Sequence, residues 1–238
     1  MKQLTARFSY LFKSTKGLIL AAIAICALIS AFFGMISGPM ADMGIKDVIV
    51  RVFGLKLVEA EREGRLIILY HSIAMIVVAI ETYMITGLLA MKERQKVTIN
   101  STITIGYLMT AIGGLSFAYW GHNWAMHGIY IAGLVIIFFA GCMLLAALWP
   151  WREEYKVTDR QYAHSRAGFS MERIAFFAVA LATLISALFG AVPGSYYGNG
   201  FETFLAENVV REPYKTALDL AVIGHLHIML ALIAVMCA

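Results

Sequence analysis

The feature that most limits how this chain can fold is a series of long apolar stretches separated by polar segments. Each stretch has about 20 residues or more, enough for a helix to cross the roughly 30 Å hydrocarbon core of a bilayer. Of the 238 residues, 61% are hydrophobic and only 14% are charged, whereas soluble domains average about 25% charged residues. The sequence therefore predicts an all-α, polytopic membrane helix bundle with about six transmembrane helices.

The charges of the loops indicate how the chain is oriented. Three segments, residues 1–16, 92–97 and 150–173, contain 12 of the 19 Lys and Arg residues. By the positive-inside rule these segments face the cytoplasm. We therefore expect an integral protein of the cytoplasmic (inner) membrane with a cytoplasmic N-terminus. The net charge of +4 reports this orientation and not a nucleic-acid partner. Residues 45–55 have an amphipathic pattern that predicts a helix lying on the opposite membrane surface.

An internal repeat relates two histidine-bearing stretches at an offset of 156 residues. This offset aligns His71 with His227, and it aligns the segment 28–34, LISAFFG, with the segment 184–190, LISALFG. Repeats of this kind fix the architecture of a chain. The aligned block and the aligned histidine together indicate a duplication.

The repeat also predicts how the chain is divided. A first unit of four transmembrane helices occupies residues 1–156, and a second begins in residues 157–238 with two helices. Four spans separate equivalent positions, so both units enter the membrane from the same side. The repeats are therefore parallel, related by an axis near the membrane normal.

The histidines are the main candidate functional residues, because ionisable groups are costly inside a bilayer. His71 lies about 9 Å below the outer end of the second span, at 1.5 Å per residue, and His227 has the equivalent depth in the sixth. Two imidazoles at one depth on equivalent helices suit a haem held edge-on, whose iron takes two axial ligands. The alternative for a lone transmembrane histidine is a helix–helix hydrogen bond. The repeated position favours ligation.

His225 lies two residues before His227, so the two side chains point about 200° apart around the helix. They cannot bind one metal together, but they can serve cofactors on opposite sides of the helix. We therefore expect one haem b, or two. His127 is a further candidate ligand, although a polar turn at the interface accounts better for His122 and His127. His164 is interpreted as an ordinary residue of a cytoplasmic loop.

Other ionisable residues near the second span have two interpretations each. Arg62 and Arg65 border its outer end, where they could pair with haem propionates or mark the interface. Glu81 lies about 15 Å deeper than His71, well inside the hydrocarbon. It is either a proton-transfer site or a buried carboxyl bonded to Tyr83, Thr86 or a neighbouring helix.

Several residues resemble a known family, the catalytic subunit of haem–copper oxidases and nitric oxide reductases. The similar features are Leu11 and Phe12 with the following KSTK, the first span, the long outer loop, the histidine of the second span and the His-x-His. The resemblance implies that His71 and His227 ligate a low-spin haem and that His225 faces a second centre. The family's His-x-His lies on a later helix, and its paired copper-ligating histidines have no counterpart here. A copper site is therefore not implied.

These observations favour a membrane b-type cytochrome subunit that transfers electrons through non-covalent haem in a respiratory complex. No catalytic residue is assigned, and an oxidoreductase activity of the haem–copper oxidase type would belong to the complex. The expected partners are the lipid bilayer, other membrane subunits, and a quinone or an electron donor or acceptor protein. The alternative is a transporter or proton-pathway subunit without haem, with Glu81 as its coupling residue.

Overall fold

The computed structural model describes residues 15–37, 44–57, 62–152, 171–196 and 216–237. Regular secondary structure in these ranges is entirely helical. The seven described helices are α1 (Thr15–Ser37), α2 (Ile45–Phe53), α3 (Arg62–Leu88), α4 (Glu93–Trp120), α5 (Trp124–Ala147), α6 (Met171–Tyr196) and α7 (Ala217–Cys237). The predicted all-α class is confirmed for this part of the chain.

Four of the described helices are long and apolar enough to cross a membrane. Their spanning segments are Gly64–Leu88, Glu93–Trp120, Trp124–Ala147 and Met171–Gly194. Helices α1 and α7 contain the shorter apolar stretches Ala21–Phe33 and Leu220–Ala234. The membrane character of the chain is therefore supported, whereas the count of six spans and the internal repeat stay predictions. The proposed repeat boundary at residue 156 lies outside the described residues.

One helix boundary differs from the sequence-based expectation. The loop charges place residues 92–97 in a loop, but α4 already begins at Glu93. The Gln95 side chain accepts a hydrogen bond from the Lys92 backbone N–H at 3.1 Å, which closes the first turn. The apolar pattern marks only the part of a helix that lies in hydrocarbon, so it misses a polar first turn.

The chain forms two compact units. Unit 1 contains residues 1–76 and 104–134, and unit 2 contains residues 77–103 and 135–238. These units interleave along the sequence, whereas the predicted repeats follow one another, so one division does not bear on the other.

In unit 1, α4 and α5 approach closely because small residues line their contact. A Cβ at Gly133 would lie 2.5 Å from the backbone nitrogen of Thr110, and a Cβ at Gly113 would lie 2.8 Å from the Tyr130 nitrogen. Neither position has room for a larger side chain. This is the small-residue packing typical of helices in membranes, where close backbone approach replaces the hydrophobic driving force of water.

The short helix α2 packs against the C-terminal end of α4. The Trp120 indole N–H donates to the Phe53 carbonyl at 3.0 Å, and the Lys56 backbone N–H donates to the Tyr119 carbonyl at 2.8 Å. Phe33 of α1 stacks on Tyr119 with ring centroids 4.0 Å apart. The predicted helix in residues 45–55 is thus present, and it is fixed to an aromatic cluster at this end of unit 1.

In unit 2, the side chain of Arg173 joins the ends of three helices. Arg173 lies in the first turn of α6 and is 1% exposed. Its guanidinium donates to the Ala147 carbonyl, the last residue of α5, at 2.9 Å and to the Ala90 carbonyl, just beyond α3, at 2.6 Å. Both acceptors are carbonyls at helix C-terminal ends, which carry partial negative charge. The guanidinium therefore supplies hydrogen bonds to both carbonyls and offsets the partial negative charge of these two helix ends.

Candidate functional site

His71 lies in unit 1 on α3 and is half-buried. Its Nδ1 donates to the Ile67 carbonyl, one turn earlier in the same helix, at 2.9 Å. The Tyr130 hydroxyl of α5 is 3.4 Å from the same nitrogen. The carbonyl contact fixes the ring and places the proton on Nδ1, which leaves Nε2 as the nitrogen with a lone pair for a metal.

His227 lies in unit 2 on α7 and makes the equivalent backbone contact. Its Nδ1 donates to the Ile223 carbonyl at 2.8 Å. The offset of 156 residues that relates the two histidines also relates Ile67 to Ile223. Histidines that bind a metal are typically fixed through the second ring nitrogen, and both rings have such a contact. The His227 side chain is exposed on α7.

His225 contacts α6. Its Nδ1 donates to the Ser186 carbonyl at 2.8 Å. A Cβ at Gly190 would lie 2.7 Å from Cε1 and 2.8 Å from both ring nitrogens of His225. Because these three distances are nearly equal, the face of the imidazole covers Gly190. Gly190, the last residue of the segment LISALFG, therefore makes room for the His225 ring.

The remaining predicted residues lie along α3 or outside the described part. Arg65 is buried in unit 1, six residues before His71, which places it about 120° around the helix from that side chain. Arg62 begins α3, but its side chain and the whole of His164 lie outside what the structure describes. Glu81 is half-buried in unit 2.

The polar residues that follow Glu81 contact α4. The Tyr83 hydroxyl donates to the Asn100 carbonyl at 3.3 Å. The Thr86 hydroxyl donates to the Asn100 side-chain oxygen at 3.0 Å. A short polar strip therefore joins α3 and α4.

A cluster of rings that the sequence analysis did not predict surrounds the turn between α4 and α5. His122 Nε2 and His127 Nδ1 are hydrogen-bonded at 3.0 Å. The His127 ring stacks on Phe117 at a centroid distance of 4.8 Å and on Trp124 at 5.9 Å. Phe117 also contacts Tyr130 at 5.7 Å. The two histidines form a direct pair, and are therefore more than isolated polar residues at the interface.

The contact of Tyr130 with His71 could not be predicted from the sequence, because the two residues are 59 positions apart along the chain. The His122–His127 pair could be weakly predicted, since His122 lies in a short turn and His127 follows it in the first turn of the next helix. Among the described residues, no group of three or more His, Cys, Asp or Glu could hold a metal ion. A haem needs only two imidazole ligands, so this finding does not bear on haem binding.

Comparison with protein-family models, curated proteins and solved structures gives no match for this chain. The function is therefore argued from the residues of the site alone.

Proposed function

We propose that this chain is a membrane b-type cytochrome subunit that transfers electrons through a non-covalent haem. The observation that carries the proposal is the shared local geometry of His71 and His227. Each Nδ1 donates to a carbonyl four residues earlier, at 2.9 and 2.8 Å. Because metal-ligating histidines are typically held through the nitrogen that does not bind the metal, both rings are prepared for ligation through Nε2.

The donor set fits a low-spin haem. Two neutral imidazoles supply two nitrogen ligands, and the protein has no need of a thiolate or a covalent attachment. The haem, when bound, supplies reversible one-electron exchange at its iron. The chain's contribution is to fix the two rings, to exclude water with the apolar spans, and to place the buried Arg65 on the helix of one ligand. Arg65 is the described residue that we assign to a propionate, because a guanidinium can donate two parallel hydrogen bonds to a carboxylate.

The exposure of His227 agrees with this assignment. A polar ring on the outside of a membrane helix is costly unless a partner covers it. Its neighbours Leu226 and Leu230 are 48% and 69% exposed, so the surrounding helix surface is apolar. A haem has an apolar macrocycle and an iron that takes an imidazole, and both parts match this surface.

A second haem at His225 is part of the proposal that the family resemblance suggests. His225 also has its Nδ1 bonded to a carbonyl, as a ligand would. The same contact with Ser186 suffices as a helix–helix hydrogen bond. His225→Ala tests this. If the variant binds one haem per chain with an unchanged spectrum, as the wild type does, then His225 serves only in helix packing.

The proposal includes an orientation in the cytoplasmic membrane. We expect Lys46 to face outside and Lys96 to face the cytoplasm, because basic residues concentrate on the cytoplasmic side. Single cysteines at these positions, in a background without the three native cysteines, would be treated in intact cells with an impermeant thiol reagent. Labelling should occur at position 46 and not at position 96, and the reverse pattern would overturn the orientation.

A transporter or proton-pathway subunit without haem remains the second candidate, favoured by one observation. Glu81 and the contacts of Tyr83 and Thr86 with Asn100 form polar chemistry within the spanning helices. Ionisable groups at such depth are often proton-relay residues. Proton flux in proteoliposomes that is abolished by Glu81→Gln, from a colourless protein, would favour this function over the cytochrome.

The direct test of the cytochrome is the absorption spectrum of the purified protein. A reduced-minus-oxidised spectrum should show the sharp bands of a six-coordinate b-type haem. Acidified acetone should extract the pigment, because no Cys-x-x-Cys-His is present to attach it covalently. A colourless preparation from cells supplied with haem would contradict the proposal.

A further inference from the structure

The short helix α2 has an apolar side that the protein leaves largely exposed. At about 100° per residue, Val48, Val52, Ile49 and Phe53 lie in this order around the helix axis, within an arc of about 140°. Three of these side chains are large and exposed, with Val48 at 61%, Val52 at 70% and Phe53 at 54%. A contiguous exposed apolar surface of this kind marks a site of interaction.

The charged residues of α2 have fixed places relative to this apolar arc. By the same helix geometry, Lys46 lies about 20° beyond Phe53, and Arg51 lies about 60° beyond Val48 at the other edge. Asp47, the acid of this helix, lies opposite the middle of the arc. Among the residues that the structure describes, neither Lys46 nor Arg51 forms an ion pair. The two cations therefore border the apolar side, and the negative charge is the farthest from it.

Contacts with α4 place α2 at the membrane surface. The spanning segment Glu93–Trp120 ends at Trp120, whose indole N–H donates to the Phe53 carbonyl at 3.0 Å. Lys56, just beyond α2, lies beside the residue that follows the span. A Cβ at Gly121 would be 3.0 Å from the Lys56 Cδ and 3.8 Å from its Nζ. Tryptophan and lysine side chains at the end of a span are typical of the interface between hydrocarbon and water, so the apolar arc of α2 lies at the depth of this interface.

We propose that α2 binds the headgroup of an anionic phospholipid through Lys46 and Arg51, with its apolar arc among the acyl chains. Basic side chains at the edge of an apolar surface keep their stems in hydrocarbon while their charged ends reach the phosphate layer. In a zwitterionic lipid an amine balances the phosphate charge, so the attraction of the two cations is greater for an anionic lipid. Asp47 points away from the phosphate layer and opposes this attraction least. The site uses none of the residues of the proposed cytochrome and does not depend on it.

The test measures which lipids surround position 52 of the whole protein. In a background without the native cysteines, Val52→Cys carries a nitrobenzoxadiazole fluorophore, and the protein is placed in phosphatidylcholine nanodiscs. Phosphatidylglycerol or phosphatidylcholine with a spin label on its acyl chain is added at the same mole fraction, and either quenches the fluorophore on contact. Quenching by phosphatidylglycerol should correspond to a local enrichment of at least about threefold, as two basic residues near a surface provide. At about 1 M salt this enrichment should fall, because the attraction is screened.

Two variants with the same loss of charge locate the effect. Lys46→Gln combined with Arg51→Gln should abolish the enrichment of phosphatidylglycerol and leave quenching by phosphatidylcholine unchanged, because the apolar arc is intact. Arg94→Gln combined with Lys96→Gln is the matched control. It removes two cations from the first turn of α4, at the opposite end of the same span, and it should retain the enrichment.

Each of the other outcomes would overturn the proposal. Equal quenching by the two lipids in the wild type would show that α2 contacts lipid without selecting its charge. The same enrichment in wild type and in the Lys46 and Arg51 variant would remove these cations from the site. Quenching by aqueous iodide and by neither lipid would show that the apolar arc faces water. A fluorophore that neither iodide nor lipid reaches would show that protein covers α2, such as a second copy of this chain.

Discussion

The surroundings of His71 and His227 differ although their rings are fixed in the same way. His71 is half-buried, and α5 approaches it through Tyr130. His227 is exposed on α7. This helix packs along α6, which His225 contacts through the Ser186 carbonyl. The two candidate ligands therefore share the same contact with a backbone carbonyl, whereas the side chains around them differ.

The position two residues before each candidate ligand shows the same contrast. In the first stretch it is Leu69, which is 5% exposed and packs as an ordinary core residue. In the second it is His225, whose ring covers Gly190. A duplication can keep a ligand and its backbone contact while the neighbouring packing residue changes its chemistry. The features that the two stretches share are accordingly the better guide to a common function.

The largest expected effect concerns the helix ends of unit 2. Arg173→Met would leave the Ala147 and Ala90 carbonyls without their charged donor, and we expect unfolding to become easier by about 3 kcal/mol. Arg94→Met, at an exposed position of α4, should change the unfolding free energy little. Unfolding in mixed detergent micelles measures both. In the Arg173 variant, peptide-resolved hydrogen exchange should be faster in α6 and α7 than in the part of α3 near His71. Equal exchange in these regions would contradict the local role of Arg173.

A smaller effect is expected where α6 and α7 meet. Gly190→Ala adds a Cβ within 2.8 Å of the His225 ring, and such overpacking typically costs about 1–3 kcal/mol. Gly224→Ala is the control on the partner helix, because its Cβ would meet nothing within 4 Å. That change should be neutral or stabilising, by up to about 1 kcal/mol, since alanine favours a helix over glycine. Equal unfolding free energies of the two variants would show that the His225 ring does not pack against Gly190.

The smallest effect concerns the hydroxyl beside His71. Tyr130→Phe keeps the ring contacts but removes the oxygen 3.4 Å from Nδ1. We expect less than about 1 kcal/mol change in stability, together with a measurable change in the haem reduction potential, since contacts of the second ring nitrogen tune a metal ligand. Tyr107→Phe is the matched control, because the buried Tyr107 hydroxyl has no hydrogen-bond partner among the residues that the structure describes. The same potential change in both variants would remove Tyr130 from the site.

Much of the fold follows from hydropathy alone. The apolar stretches predict where the described spanning helices lie, because a bilayer requires long, internally hydrogen-bonded segments. The polar first turn of α4 and the role of Arg173 were not predicted. Both depend on backbone carbonyls and N–H groups that become available only where helices end.

The site was predictable where its residues repeat and not where they meet through packing. The repeated histidine at an offset of 156 residues indicates His71 and His227, and the alignment of Ile67 with Ile223 places equivalent carbonyls beside them. The contacts of Tyr130 with His71 and of His225 with Gly190 join residues 59 and 35 positions apart. No local pattern marks such contacts, since they depend on how neighbouring helices face each other.

In the proposed cytochrome, His71 and His227 would together hold one low-spin haem. Electron paramagnetic resonance and visible spectra of His71→Ala and His227→Ala, compared with His164→Ala, test it most directly. We expect that either of the first two substitutions abolishes the low-spin signal, because one imidazole cannot maintain six-coordinate iron. The third should leave the signal unchanged. An unchanged low-spin spectrum in His71→Ala or in His227→Ala would contradict the assignment.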